Sequence, residues 1–369
     1  MRAVHMPKTR SVVFALCVLT ACGTGGGTST QLPRGEPTTA APGDKVVYAT
    51  LAQGDQVAAF RLGQDGLLPA APFSTFDIEN PRRVVLGDGV LYVAGDDRVV
   101  ALSLGADGSL PAQPTSQVTP NRNIDPVALL LLDGVLYVAF ENQFRVQAFI
   151  LESGQLPPDP SSSSGTAQSD YRSLAVFDGF LYAGAEQSAR IDTYRIQPDG
   201  TLPAMPEPQL PDTTIFLPED IVIRDGTLYA IAQARESIQA YEIRANGLLP
   251  AEPDSRTGRN ARYARLLLDG DRIYATAFTR GGIHVFQLDP VDGSLTLGPP
   301  FFRTAADAAS FPIAMRLDNG IIYVAQAGLG RIDAYIVNGD GSLSLFPSSS
   351  TDVIPDSFPT DIVIGEFSP

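Results

Sequence analysis

The chain of 369 residues contains no tryptophan, and its two cysteines, Cys17 and Cys22, both lie within the first 22 residues. From residue 23 onward there is no thiol, which excludes a disulfide, a thiolate metal site and a cysteine nucleophile from that part of the chain. Histidine is almost as scarce, with only His5 and His284. A zinc site built on histidines is thereby excluded, and a serine triad would have to use His284. Lysine occurs only at Lys8 and Lys45, so the basic residues are otherwise arginines. Positive charge of either kind is outweighed, 26 basic against 41 acidic residues, for a formal net charge of −15. That balance argues against nucleic acid and anionic lipid surfaces as partners. Asp125, Asp170, Glu219 and Asp220 show no calcium-loop spacing, and no CysXaaXaaCysHis motif is present. The sequence therefore calls for no metal and no cofactor.

What is present falls into two parts. Residues 1–21 carry a positive start in Arg2, Lys8 and Arg10 and an apolar core from Ser11 to Leu19, too short to span a bilayer as a mature helix. The segment ends Leu19-Thr20-Ala21-Cys22 and resembles a bacterial lipoprotein signal, which implies lipidation of Cys22 and a membrane partner through that anchor. Gly23 stands where this signal class carries an aspartate for inner-membrane retention, which favours the outer membrane within a cell-envelope location. Residues 22–44 follow as the lipidated cysteine and a Gly/Thr/Ser/Pro-rich tether, with a random-coil reach of roughly 25 Å. Loss of residues 1–21 removes three basic and no acidic residues and leaves −18.

Residues 45–369 are repetitive. Tyr48, Tyr92, Tyr137, Tyr182, Tyr229, Tyr274 and Tyr323 are separated by 44, 45, 45, 47, 45 and 49 residues. A period of this length is the mark of a repeat architecture. Each tyrosine follows an Asp-Gly or Asn-Gly turn or a close relative of one, and a second turn of the same kind precedes a GlyXaaLeu phrase. Such turns tolerate the positive φ of tight hairpins. The intervening runs are rich in Val, Ile, Leu, Tyr and Phe and lack the 3.6-residue period of helices. Three clear strands and a weaker fourth in each Pro-rich stretch make a propeller blade. The fold expected is all-β, a seven-bladed propeller of four-stranded antiparallel blades. The tethered part opens on Val46–Thr50 with no ProXaaXaaVal strand before it, and that strand stands at the other end as Pro359–Ile364. The last blade is thus expected to be closed by both termini, which protects ends and edges.

In such a fold the innermost strand starts at the face where ligands bind. Ten and nine residues before each tyrosine stand Arg82-Arg83, Val127-Ala128, Arg172-Ser173, Glu219-Asp220, Ala264-Arg265 and Ile313-Ala314, and Thr360-Asp361 completes the ring. The next residue is apolar throughout: Val84, Leu129, Leu174, Ile221, Leu266, Met315 and Ile362. Charge therefore collects in one layer at the channel mouth. Arg82, Arg83, Arg172 and Arg265 could hold a carboxylate or phosphate, with Asp361 as a further binding residue. Glu219 or Asp220 could act as a base if its proton affinity were raised. The competing reading is a set of ion pairs around a solvated funnel. His284 shares its register with Ala58, Val100, Gln147, Asp192, Gln239 and Asp333, which reads as an ordinary strand position with solvent contact.

The shared phrase is a ProXaaXaaVal strand, an AspGly turn, LeuTyrValAla, ValXaaAlaPhe and AspGlyXaaLeu. It resembles the repeat of the seven-bladed lactonase-type propellers, a group that shares it with the YVTN surface-layer propellers, and it covers residues 46–364. The resemblance implies opening of sugar-acid lactones by histidine, arginine and acidic residues at the starts of inner strands. Pro81-Arg82-Arg83 stands where that family often has ProArgHis, so Arg83 replaces the histidine. The lack of tryptophan separates the chain from propellers whose repeats are built on that residue. Two functions are expected in order. The first is an envelope-tethered binding module taking a protein, a carbohydrate or a small acidic ligand at the channel face. The alternative is a hydrolase of an acidic sugar lactone, akin to a 6-phosphogluconolactonase.

Overall fold

The computed structural model describes residues 44–367, apart from 120–124, 142, 167–169, 187, 209–216, 259–260, 279–280, 298–301, 304–309, 353 and 355–356. Cys22, and with it the proposed anchor, lies outside the described residues. Seven antiparallel sheets follow one another along the chain, joined by turns and two short 3-10 segments. Numbered by the repeat tyrosines, blade 1 contains Tyr48 and blade 7 contains Tyr323. The innermost strands of blades 2 to 7 are Arg83–Gly87, Pro126–Leu132, Tyr171–Phe177, Pro218–Arg224, Tyr263–Asp269 and Pro312–Asp318. Blade 1 takes its innermost strand, Pro359–Phe367, from the far end of the chain, where it pairs with Asp44–Leu51. Each innermost strand touches that of the next blade and the seventh returns to the first, so the circle is closed. Blade 4 has three strands among the described residues, and in blade 6 the outer edge is split between Leu295–Leu297 and Phe302–Arg303.

The blades stack face to face, which is why their second strands are apolar on both sides. Val90–Gly95, Val135–Phe140, Phe180–Ala185 and Ile321–Gln326 are buried at every residue. The core is accordingly a series of layers between neighbouring blades. Blades 1 and 2 share one around Tyr48, Val84 and Val93, and blades 7 and 1 share another around Phe60, Tyr323 and Ile362.

The periodic tyrosine is the clasp between layers. Each hydroxyl donates to the carbonyl of the turn glycine in the following blade: Tyr48 to Gly108, Tyr92 to Gly154, Tyr137 to Gly200, Tyr182 to Gly247, Tyr229 to Gly293 and Tyr274 to Gly341. Tyr323 donates to Gly66 at 2.7 Å and closes the circle. A buried hydroxyl needs such a partner, so the tyrosine and the glycine recur together. At five junctions a serine hydroxyl of the outer strand also accepts the N–H of the next blade's GlyXaaLeu leucine, as Ser74 does from Leu110.

The two turn families prove different. Before the second strands of blades 2, 3, 4, 5 and 7 both turn residues have positive φ, as at Asp88 (50°) and Gly89 (72°). In the second family only the glycine does, except at Ser153-Gly154, and elsewhere the preceding Asp or Asn side chain accepts the N–H two residues on, as Asp107 does from Ser109 and Asp199 from Thr201. The side chain replaces the left-handed backbone as the reason for its conservation within the repeat.

Candidate functional site

Six of the seven innermost strands begin with a β-bulge at the layer picked out by the tyrosine spacing. In blade 5 the pairing jumps from Pro218↔Ala232 to Ile221↔Ala230, so Glu219 and Asp220 share one opposing residue. The same break falls at Tyr171/Ser173, Tyr263/Leu266, Pro126/Ala128, Pro312/Ala314 and between Pro359 and Asp361. In blade 2 Arg83 pairs with Ala94 while the Arg82 N–H also donates to the Ala94 carbonyl. A bulge re-aims side chains, which is how two consecutive residues come to serve one layer. The backbone entering it is strained: Leu217, Phe311 and Phe358 have φ of 55°, 43° and 41°, unusual for bulky residues.

The ring separates into an arc of ion pairs and a set of groups without them. Glu141 bridges Arg172 at 2.7 Å and Arg82 at 3.5 Å, Glu186 holds Arg172 at 2.5 Å, and Asp96 lies 3.7 Å from Arg82. Burial works against the Arg172 charge, yet Glu141 and Glu186 hold its guanidinium above the ordinary value. Arg82 and Arg172 are thus engaged in ion pairs of the kind the funnel reading expects. Arg83 and Arg265 are different. Neither has a carboxylate within ion-pair distance among the described residues, and each donates from Nη1 to the carbonyl of the residue before it, Arg82 at 2.9 Å and Ala264 at 2.8 Å.

The two ring aspartates are built alike. Asp361 Oδ2 accepts the Val84 N–H at 3.2 Å, and Asp220 Oδ2 accepts the Leu266 N–H at 2.8 Å. In both cases the donor is the residue after the arginine of the next blade. Asp361 is buried, with Arg316 Nη2 3.6 Å from it. Asp220 is half-buried and has no ion pair among the described residues. Burial raises its carboxyl to about 7, against the opposing pull of the Leu266 N–H, Arg83 and Arg316. Burial likewise raises Glu219, opposed by Arg172 and Arg83 and reinforced by Glu186 and Glu141.

No protein-family model matches the sequence, and no curated protein does. Solved structures do. The periplasmic gluconolactonase of Pseudomonas aeruginosa superposes with a TM-score of 0.71 at 14% identity, covering 88% of this chain and 99% of that one. A candidate 6-phosphogluconolactonase from Bacteroides uniformis gives 0.73 at 18% identity over 87% and 99%. Another from Bacteroides fragilis gives 0.71 at 16% over 89% and 100%. The chain shares the fold of these gluconolactonase structures.

Within that fold the spacing reaches all seven predicted ring residues but misses their neighbours. Glu141 and Glu186 come from loops between second and third strands. Arg316 stands where the other inner strands carry Val85, Leu130, Ala175, Val222, Leu267 and Val363, and this single charge in an apolar column was a usable signal. His284 corrects the expectation of solvent contact. It is 2% exposed, with Nδ1 hydrogen-bonded to the Tyr263 hydroxyl at 2.8 Å. Its row is a buried polar one, including Asp192, Gln239 and Asp333. Among the described residues no group of His, Cys, Asp and Glu side chains is disposed to hold a metal ion. A cavity of about 470 Å³ beside Gln143–Arg145 and Ser163–Thr166 contains none of the ring residues.

Proposed function

We propose that the chain hydrolyses the lactone of an acidic sugar at this ring. The observation that carries the proposal is Asp220: a carboxyl raised to about 7 by burial, without an ion-pair partner among the described residues, in a ring where Arg83 and Arg265 also lack one. A base with that affinity is half ionised near neutrality, where general-base catalysis is most efficient. As carboxylate, Asp220 takes a proton from water while the water oxygen bonds to the lactone carbonyl carbon. The tetrahedral intermediate then expels the ring oxygen, which takes the proton back from Asp220, and a hydroxy acid leaves. Arg83 and Arg265 offer paired donors to the substrate's carboxylate or phosphate and to the developing oxyanion. Glu219 lies beside the base as the alternative proton acceptor.

The likeness to a gluconolactonase and to candidate 6-phosphogluconolactonases supports the same direction at low identity. Together these place hydrolysis ahead of the binding-module reading, for which neither adds support. The test is proton release by the purified full-length chain on gluconolactone and a phosphorylated sugar lactone. Turnover that vanishes in Asp220→Asn is expected. No turnover above the spontaneous rate overturns the proposal and returns the ring to a binding role.

We also infer an envelope location through a lipid on Cys22, supported by the signal-like residues 1–21 and in keeping with the periplasmic neighbour. Asp44 pairs with Phe367, at the opposite end of the innermost strand from Asp361. Asp44, the first described residue, thus lies at the end of its blade away from the ring. Palmitate labelling that persists in Cys22→Ala would overturn the anchor.

A further inference from the structure

Five of the seven innermost strands are entered through a proline: Pro81, Pro126, Pro218, Pro312 and Pro359. Proline fixes φ at this point without help. Two blades have tyrosine instead, Tyr171 and Tyr263, and these are the two whose bulges carry Arg172 and Arg265. Both tyrosines are fully buried. Each is fixed to the third strand of its own blade: Tyr171 donates to Asp192 Oδ2 at 2.6 Å and lies 2.7 Å from the Tyr194 hydroxyl, while Tyr263 bonds His284 Nδ1 at 2.8 Å. The Tyr263 ring also stands edge-on to His284 and Phe286, with centroids 5.3 and 5.9 Å away.

Asn80, Leu217, Phe311 and Phe358, which precede four of the five prolines, have positive φ, whereas Asp125, before Pro126, and Asp170 and Arg262, before the tyrosines, do not. The entry thus has two forms, one held by a proline ring and one by a hydroxyl tied across the blade. The tie also accounts for the buried polar row. Asp192 and His284 are the row's partners for the two tyrosines, one accepting from Tyr171 and one hydrogen-bonded to Tyr263.

We propose that Tyr263 and His284 are positioning residues for Arg265, as Tyr171 and Asp192 are for Arg172. The tie sets where the bulge starts, and the bulge aims the guanidinium two residues on, whose Nη1 rests on the Ala264 carbonyl. Because Arg172 is already clamped by Glu141 and Glu186, the effect is concentrated on Arg265. The catalytic part of this inference rests on the hydrolase reading; the positional part does not.

The experiment compares Tyr263→Phe, His284→Ala and His284→Gln with Tyr241→Phe. Tyr241 is equally buried and donates to Gln239 at 2.7 Å, but both lie on the third strand of blade 5, away from any bulge. Modification by phenylglyoxal, followed at Arg265 by peptide mass spectrometry, reads the arginine whether or not the chain is an enzyme. Several-fold faster modification in Tyr263→Phe and His284→Ala is expected, with wild-type rates in His284→Gln, which restores an acceptor as Gln239 does, and in Tyr241→Phe. Equal rates in all four overturn the proposal. If lactone turnover is found, the same two fast variants should raise KM several-fold with kcat little changed, and Tyr263→Phe should add nothing to Arg265→Gln. Additive losses, or losses shared by Tyr241→Phe, assign the tie to folding alone.

Discussion

At Asp361 and at Asp220 a carboxylate accepts the N–H of the residue after an arginine on the next innermost strand, Val84 after Arg83 and Leu266 after Arg265. The acceptor, the donor and the order of residues around the ring are the same. The surroundings are not. Blade 7, which precedes Asp361, supplies Arg316 at 3.6 Å, whereas blade 4, which precedes Asp220, has Ala175 in that register. At one corner the buried Asp361 has the part-buried Arg316 beside it, and the other keeps a carboxyl raised to about 7. A repeat fold supplies the same scaffold seven times, and chemistry is assigned to one copy by what its neighbour lacks.

The largest effect should come from removing the two acids in turn. Asp220→Asn keeps the shape and an acceptor for the Leu266 N–H but cannot take a proton, so kcat on a lactone substrate should fall by about 10²–10⁴. Asp361→Asn should cost less than about tenfold, since its target is a structural pair. Equal losses in steady-state assays would erase the distinction between the corners. Next, Arg265→Gln and Arg83→Gln should each raise KM for a phosphorylated lactone by roughly 10–100-fold, the value of one charged hydrogen bond, and much less for a neutral lactone. Arg82→Gln, whose guanidinium is occupied by Glu141 and Asp96, should leave that ratio unchanged.

Arg316 allows a finer test. Its charge helps to hold down the proton affinity of Asp220, so Arg316→Gln should move the rising limb of kcat/KM from near 7 to higher pH. A limb that stays in place, measured under conditions where the variant remains folded, would assign the limb to another group.

How much of this was legible follows from the same physics. The tyrosine period fixed the blades because a clasp that joins layers must recur once per layer, and it located the charged layer because register in a strand is a matter of counting. The absence of a starting strand before Val46 announced the closure by Pro359–Phe367. Counting within one repeat does not reveal which side chains meet across blades. Glu141 and Glu186 neutralise Arg82 and Arg172 from loops of other registers, so those two arginines looked as available as Arg83 and Arg265. His284 was misjudged for the same reason. Its row mixes Ala58 and Val100 with Asp192 and Asp333, and the mixture reflects whether a buried tyrosine or arginine needs an acceptor there, not contact with water.

The smallest effect concerns stability, where the two corners should differ in their dependence on pH. Each substitution to asparagine replaces one of two acceptor oxygens by a donor, a loss common to Asp220→Asn and Asp361→Asn. The difference between them therefore isolates charge. Asp220 has a raised affinity in the folded state, so its contribution is fully present only below the ordinary carboxylate value near 4 and is lost as pH rises through about 7. Wild-type protein should lose melting temperature over that window by a term that Asp220→Asn does not share. The deficit of Asp220→Asn should accordingly shrink between pH 4.5 and pH 8.5 and can change sign. The deficit of Asp361→Asn, which includes the broken contact with Arg316, should persist at pH 8.5. Parallel melting curves for the two variants across this range would mean that Asp220 carries no buried charge at neutral pH and that the two corners are equivalent after all.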